Sequence, residues 1–323
     1  MVVIMSLMKE NECFIFDNER DDSRLKRIYR SFKARKYKRK LKSNYYVEYG
    51  PKKYNVSICA IFKNEAKYLK EWIEYHTLVG IDHFYLYNNN SEDNFTEILK
   101  PYVNKGIVTL INWEKNQAQM ECYQTCINDY RNETKWLGFI DIDEFINPIR
   151  YKSVYEFLKN FENRGSVLLY WKIFGTSGLI KRDDTGLVTN DFTVCWPKLS
   201  NIGKCFYNTR YEFNKDSECN KYLHHRFYAN NGKCDLPPVD ANDNVVLPNY
   251  EKKSNDFGIQ INHYFTKSYN EYLEKKSKGD VYFKINPHDE EYFYEHEMKC
   301  SDVDYSIYKY LIKLKLRMDE KDE

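Results

Sequence analysis

Apolar runs alternate with amphipathic segments through the first half of the chain, and this order constrains the fold more than any other feature. Four apolar runs predict buried strands, at residues 54–62, 81–87, 107–113 and 136–140. The segments between them carry apolar residues at helical spacing, at residues 66–79, 95–102 and 118–130. Strands that alternate with helices are typical of a parallel sheet with right-handed crossovers. The order therefore predicts an α/β fold with a mainly parallel sheet flanked by helices.

Beyond Pro148 the pattern is less regular and predicts an irregular half that contains several short strands. Its clearest elements are a strand at 167–174, a strand at 259–265 and a helix at 269–278. These patterns divide the chain into three parts. They are an N-terminal extension with a basic helix (1–52), the α/β domain (53–290) and a C-terminal helical tail (291–323).

Polar residues follow the predicted strands of the first half, at the carboxyl ends where ligands gather in parallel sheets. They are Asn64, Glu65, Asn88, Asn90, Asp93, Asp141 and Asp143. Because the carboxyl ends of parallel strands meet at one edge of a sheet, these residues predict a ligand site at that edge.

Asp141 and Asp143 come directly after the apolar run 136–140 and are separated by one residue. At the end of a strand, this spacing points both carboxylates the same way. Two convergent carboxylates repel each other unless a cation or a proton lies between them. Mg²⁺ and Mn²⁺ prefer such oxygen ligands and complete their coordination with water and phosphate. The pair predicts a divalent-metal site, with a solvated turn as the alternative interpretation.

His263 lies at the end of the later predicted strand, and Lys267 follows four residues on. A neutral imidazole at this position could complete the metal coordination opposite the aspartates. The ammonium group of Lys267 could contact a phosphate. The alternative for His263 is a hydrogen-bonded histidine of the core.

Several segments occur in a fixed order between residues 55 and 278. They are 59–65, 68–76 with Gly80, 85–91 with Asp93, 117–119, 136–145, Trp171 with Phe174 and Gly175, and 261–264 with Lys267 and Ser268. This ordered series resembles glycosyltransferase family 92 and the related family-2-like transferases. One departure is that Gly178 and Leu179 stand where relatives often have a glycine-histidine pair. The resemblance therefore does not define the acceptor or the linkage.

The resemblance implies a GT-A fold, a nucleotide-diphosphate sugar donor and a divalent cation, Mn²⁺ or Mg²⁺. It also implies transfer with inversion, often of galactose from UDP-galactose, to a glycan or glycolipid acceptor. Asp143 and His263 would bind the metal, and Asp141 would bind the metal, a metal-bound water or the ribose. The residues implied to bind the nucleotide sugar are Lys63, Asn64, Glu65, Asn88, Asn90, Asp93, Gln119, Asp141 and Lys267.

The catalytic base has three candidates. Inverting transfer needs a carboxylate that accepts the proton of the acceptor hydroxyl as it attacks the sugar. Asp183 and Asp184 follow the glycine-containing turn at 175–178, and Glu144 adjoins the aspartate pair. For Asp183 and Asp184, the alternative interpretation is a solvated turn beside two basic residues.

Two other functions share this α/β plan. A sugar-nucleotide nucleotidyltransferase would have a glycine-rich, basic loop after the first strand, and residues 62–65 lack glycine. A catalytically inactive sugar-binding module of the same fold would lose the acidic motif, which this chain keeps.

Residues 24–42 include eleven lysines and arginines with scattered apolar residues, which predicts a basic helix. This helix either contacts an anionic membrane surface or packs on the main domain. The whole chain has 50 basic and 48 acidic residues, so its charge does not indicate a nucleic-acid partner. Nine scattered cysteines without a CxxC motif suit a reducing compartment. We therefore expect a cytoplasmic location, with membrane association left open.

Overall fold

The structure is a computed structural model that describes residues 24–41, 50–116, 118–247, 252–277 and 289–319. Every strand and helix predicted in the first half of the chain is present. These elements are α1 (Arg24–Leu41), β1 (Tyr54–Phe62), α2 (Ala66–Leu78), β2 (His83–Asn88), α3 (Phe95–Asn104), β3 (Val108–Asn112), α4 (Gln119–Tyr130) and β4 (Thr134–Phe139).

The second half is richer in short strands, as its irregular pattern predicts. Its elements are β5 (Glu144–Asn147), α5 (Val154–Leu158), β6 (Ser166–Ile173), α6 (Val188–Asp191), β7 (Val194–Cys195), β8 (Gly203–Asn208), β9 (Glu212–Phe213), β10 (Ala229–Asn230), β11 (Asp235–Leu236), β12 (Val239–Asp240), β13 (Gln260–His263), α7 (Tyr269–Ser277), α8 (Glu290–Met298), β14 (Asp302–Val303) and α9 (Leu311–Asp319).

The main sheet of the described residues has nine strands in the order β3-β2-β1-β4-β8-β6-β13-β5, and β12 pairs with β6. The pairings among β1, β2, β3 and β4 are all parallel. The central strand β1 is buried on both faces, because Val56, Ile58 and Ala60 are as inaccessible as Cys59. Strands covered on both faces read as continuous apolar runs, which is why the sequence reveals them so clearly. The predicted mixed α/β class with a mainly parallel sheet is confirmed.

The link that contains Asp141 and Asp143 does not return the chain to a neighbouring strand. Strand β4 ends at Phe139, and β5 begins at Glu144 on the far side of the sheet, paired with β13. In that antiparallel pairing His263 lies opposite Glu144. The crossing therefore brings the aspartate pair, at the end of a parallel strand, next to the end of β13.

The C-terminal tail is only partly helical, contrary to the sequence prediction. Between α8 and α9 lie β14, which pairs with β7, and a 3₁₀ helix, Ser306–Tyr310. The pairing of β14 with β7 joins segments about 100 residues apart, which local periodicity cannot indicate. Helix α9 packs against α2, and Ile307, Leu311 and Leu314 join the main hydrophobic core.

Helix α1 packs on the domain through one face and exposes the other. Leu41 is buried, and Ala34 and Tyr37 are half-buried against the core. The side chains of Ile28 and Phe32 are 59% and 67% exposed on the opposite face. The packing interpretation thus describes one face of this helix, and the membrane interpretation of the other face stays a prediction. None of the described helices combines the length and apolar character needed to cross a membrane.

Candidate active site

Asp143 lies at the centre of a buried charged cluster beyond the end of β4. Its side chain is 10% exposed, with Oδ1 facing His263 and Oδ2 in contact with the ammonium group of Lys275. Burial alone would raise the pKa of Asp143, but Lys275, His263 and Lys267 outweigh it and hold that pKa well below its usual value. Asp143 is therefore a carboxylate in a strongly positive environment.

Asp143 and His263 are spaced as two ligands of one cation can be. The Oδ1 of Asp143 lies 3.7 Å from Nε2 of His263, which is too long for a hydrogen bond. Two ligand atoms at about 2.1 Å from a common cation lie at most about 4.2 Å apart, so this gap can hold a metal. Burial lowers the pKa of His263 despite the nearby carboxylate, which favours the neutral imidazole that binds metals.

Asp141 faces protein donors on both carboxylate oxygens instead of pointing at Asp143. Its Oδ2 accepts a hydrogen bond of 2.5 Å from Lys204, and its Oδ1 accepts from Tyr123 and Gln119 at 3.2 and 3.3 Å. Among the described residues, no set of three or more acidic, histidine or cysteine side chains is arranged around a metal position. The structure thus brings Asp143 and His263 together and sets Asp141 apart, within reach of Gln119.

Lys204 was not identified from the sequence, and it joins two of the predicted acidic residues. Its side chain is completely buried on β8, 2.5 Å from Asp141 and 3.6 Å from Oε2 of Glu144. A lysine is almost never fully buried without a partner, so its place within the apolar strand 203–208 was an available signal. Lys275 lacked even that signal, because the sequence around it does not distinguish it from Lys276.

Glu144 is an unsuitable partner for an acceptor molecule in this arrangement. Its side chain has no exposed surface, and its Oε2 accepts a hydrogen bond from the backbone of Asp141 at 2.9 Å. Burial raises the pKa of Glu144 well above its usual value, and repulsion from the two aspartates adds to this, against the pull of Lys204. Its contacts connect Lys204 with the backbone of the aspartate motif.

Asp183 and Asp184 lie in an exposed turn. Asp183 caps that turn by accepting bonds from the backbone and hydroxyl of Thr185, and Asp184, 81% exposed, pairs with Lys67 at 3.1 Å. Within the described part of the chain, no hydrogen bond or ion pair joins either residue to Asp143. The structure does not bring these two candidate bases into the charged cluster.

The polar residues after β1 and β2 mainly brace each other. Asn64 accepts a bond of 2.7 Å from the backbone of Glu92, and Asp93 accepts one of 2.8 Å from the backbone of Ala66. Asn88 accepts from the backbone of Ser91 at 2.9 Å. Asn64 and Asn90 have positive φ angles of 55°, a conformation that asparagine tolerates better than most residues. These bonds hold the two loops together as one edge of the site.

A charged residue near this edge affects the pKa values of lysines in the charged cluster. Glu65 acts on the pKa values of both Lys267 and Lys275, and Lys63 is half-buried beside it. Lys267 is itself buried, with its ammonium 4.3 Å from the centre of the Tyr68 ring. Its φ of 50° is uncommon for a lysine and implies a backbone held in place by its surroundings.

A wall of aromatic and imidazole rings closes the other side. The rings of Trp171 and His263 lie 4.4 Å apart, and His225 meets Trp171 at 5.0 Å. Trp171 Nε1, His263 Nδ1 and Glu144 Oε1 are buried without a hydrogen-bond partner among the described residues. Unpaired buried polar atoms are rare in folded proteins, and several at one place are typical of a site that a ligand completes.

Comparison with known proteins decides the family. The sequence model of "Glycosyltransferase family 92" matches residues 52–292, which include the whole cluster described above. The chain belongs to glycosyltransferase family 92. The resemblance seen in its motifs is thereby confirmed, and the α/β architecture agrees with the GT-A fold expected of the family.

Individual relatives are similar over shorter stretches. A family 92 protein of Ricinus communis is 30% identical over 135 residues, which make up 40% of this chain and 24% of that protein. A galactan β-1,4-galactosyltransferase of Arabidopsis thaliana is 31% identical over 127 residues, 34% of this chain and 25% of that protein. The matched segments therefore span about a quarter of the length of these curated relatives.

Among solved structures, S. aureus TarS in complex with UDP is similar at 17% identity. The match covers 48% of this chain and 47% of the solved TarS segment, residues 1–349, with a TM-score of 0.32.

Proposed function

We propose that this family 92 member transfers a hexose, most simply galactose, from a UDP-linked sugar to a glycan or glycolipid acceptor with inversion. The observation that carries the proposal is the cluster of Lys204, Lys267 and Lys275 around the buried Asp143 at the end of the parallel sheet. Its lysine side chains, and the ring nitrogens of Trp171 and His263 that are unpaired among the described residues, suit a diphosphate ester. The galactosyltransferase activity named for a relative supports the choice of sugar.

Each polar residue of the site would bind a different part of the donor or the metal. Lys267, rigidly held over Tyr68, would bind the diphosphate and offset the charge that develops as the sugar leaves. Asp141, oriented by Lys204, Gln119 and Tyr123, would orient the ribose. Asp143 and His263 would hold Mn²⁺ or Mg²⁺, which when bound supplies positive charge at the diphosphate.

The catalytic base acts on the acceptor. Asp184 and Asp183 remain the proposed bases, since both are exposed, and the bound acceptor must bring its reacting hydroxyl to one of them. Glu144 is less suitable because its side chain has no exposed surface and its Oε2 already accepts a hydrogen bond from the backbone of Asp141. Of the alternative functions, the family membership argues against a nucleotidyltransferase. An activity test distinguishes an active transferase from an inactive sugar-binding module.

The proposal predicts that Asp143→Asn lowers Mn²⁺-dependent release of UDP from UDP-galactose by at least about 100-fold, since it removes a charged metal ligand while keeping its volume. Asp216→Asn is the matched control, because it changes an exposed carboxylate on the irregular half. Wild-type activity in Asp143→Asn, with melting temperatures close to wild type in both variants, would reject the metal role.

A screen of nucleotide sugars by thermal shift, with and without Mn²⁺, identifies the donor independently of the acceptor. We expect uridine-diphosphate sugars to raise the melting temperature most, and only when Mn²⁺ is present. Stabilisation by nucleoside triphosphates alone would instead favour nucleotidyl transfer.

A further inference from the structure

Lys275 places a positive charge directly against Asp143, the proposed metal ligand. Its ammonium group contacts Oδ2 of Asp143 and lies 4.6 Å from the centre of the Phe265 ring. The side chain of Lys275 is 40% exposed, whereas that of Asp143 is 10% exposed. With respect to the described residues, Lys275 therefore reaches the buried cluster from a partly exposed position.

A bound divalent cation and this ammonium group would share one small carboxylate. The metal position lies between Oδ1 of Asp143 and His263, and the two carboxylate oxygens are bonded to the same carbon. Like charges at such separations repel strongly in a partly buried site. Lys275 and a metal therefore compete for Asp143, and the lysine must shift when a metal binds.

The negative diphosphate of a donor offers the displaced ammonium a new partner. Lysine has a flexible stem of four methylene groups, so a shift of a few ångströms needs only rotamer changes. Lys275 lies on α7, and a change of side-chain rotamer alone can move its ammonium group away from Asp143.

We propose that Lys275 is an internal counter-ion that occupies Asp143 in the free enzyme and transfers to the donor diphosphate when metal and donor bind together. This inference rests on the proposed function and adds a regulatory property to it. Metal alone displaces the lysine into solvent without compensation, whereas metal with donor gives it a phosphate. Each ligand therefore strengthens binding of the other, and the coupling is reciprocal.

The test is Lys275→Met, which keeps a long unbranched side chain and removes the charge. Mn²⁺ alone, measured from the electron paramagnetic resonance signal of the free ion, should bind at least about tenfold more tightly than to wild type. UDP at saturating Mn²⁺, measured by calorimetry, should bind about tenfold more weakly, because the phosphate loses an ammonium partner.

Lys276→Met is the matched control, because it removes the same charge from the adjacent, exposed position of the same helix. It should leave both affinities within about twofold of wild type. Lys275→Gln is a second variant with a polar side chain, in case Lys275→Met folds poorly, and it should show the same two opposite changes.

The outcomes separate this inference from the proposed function. Unchanged or weaker binding of Mn²⁺ to both Lys275 variants, or unchanged binding of UDP, overturns the counter-ion role while the metal site stands. If neither wild type nor variant binds Mn²⁺ even with UDP present, the metal assignment of the proposed function fails and the inference fails with it.

Discussion

At the scale of single residues, His76 shows how burial fixes a protonation state. Its ring is fully buried between α2 and β5, with Nδ1 2.8 Å from the carbonyl of Trp72. The backbone N–H of Ile146 donates to Nε2 at 3.3 Å. An accepting Nε2 requires the proton on Nδ1, so both ring nitrogens are satisfied only in the neutral form. Burial lowers the pKa of His76 to about 3.

This predicts a loss of stability in mild acid. Because the pKa in the folded state lies below the ordinary value of 6.5, the unfolded chain takes up a proton first as the pH falls. The contribution of His76 is complete above pH 6.5 and is lost progressively towards pH 3. Between pH 6.5 and 5 the free energy of unfolding should fall by about 1.5 kcal/mol from this residue.

Urea denaturation at several pH values measures this effect in wild type and in His76→Gln. The variant should show a shallower pH dependence, by about one proton, although its overall stability is lower. His83, whose pKa burial lowers to about 4, adds to the slope in both proteins and therefore cancels in the comparison. Equal slopes for the two proteins would contradict the assignment.

Some residues of the site are indicated by the sequence immediately around them, and others only by contacts in the folded protein. Asp141 and Asp143 could be predicted because an acidic pair directly after an apolar run is visible in sequence, and His263 because it ends such a run. Lys275 could not be predicted, because its importance arises from a contact with a residue 132 positions away. The separate environments of Asp141 and Asp143 also depend on tertiary donors such as Lys204.

At the scale of elements, the parallel half was predictable to within a few residues because its strands and helices are long and strongly periodic. The predicted strand 54–62 coincides with β1. The strands β9, β10 and β11 have two residues each and exist only through their pairing with one another. No local periodicity can indicate elements of that length.

Helix α1 supports a prediction about an interaction surface. Its outward face combines the exposed apolar side chains of Ile28 and Phe32 with the exposed cations Lys36, Lys38 and Arg39. This combination complements an anionic lipid surface, where each cation contributes roughly 1 kcal/mol. Replacing the three cations with glutamine should weaken binding to vesicles that contain phosphatidylserine by on the order of 100-fold.

Cosedimentation with vesicles measures this binding, and vesicles of phosphatidylcholine alone show how much depends on charge. A matched control replaces three exposed lysines elsewhere, Lys105, Lys313 and Lys315, with glutamine. Equal losses in the two triple variants would indicate an effect of net charge and reject a specific role for α1. No binding by wild type would reject the surface altogether.

At the scale of the whole molecule, the C-terminal tail belongs to the main core. Arg317 pairs with Glu74 of α2 at 3.4 Å, and Asn147 of β5 donates to Ser306 at 2.7 Å. Leu314 is fully buried, whereas Ile312, two positions earlier on the same helix, is 71% exposed. Two residues of similar size on one short helix therefore test whether the tail stabilises the domain.

Leu314→Ala should lower the free energy of unfolding by about 2–5 kcal/mol, because it leaves a cavity between α9 and α2. Ile312→Ala should change it by no more than about 0.5 kcal/mol. Chemical denaturation followed by tryptophan fluorescence, to which the buried Trp72 and Trp136 contribute, reports on the main domain. A separate transition that affects only the tail, or equal effects of the two substitutions, would show that the tail folds independently.

The pairing of β5 with β13 also has a consequence for synthesis of the protein. Asp143 leaves the ribosome long before His263 and Lys275, the residues that face its two carboxylate oxygens. Until then, a nascent chain presents an acidic pair without its histidine and lysine partners. The proposed site for a metal and a diphosphate is therefore complete only when Lys275 has been synthesised, 132 residues after Asp143.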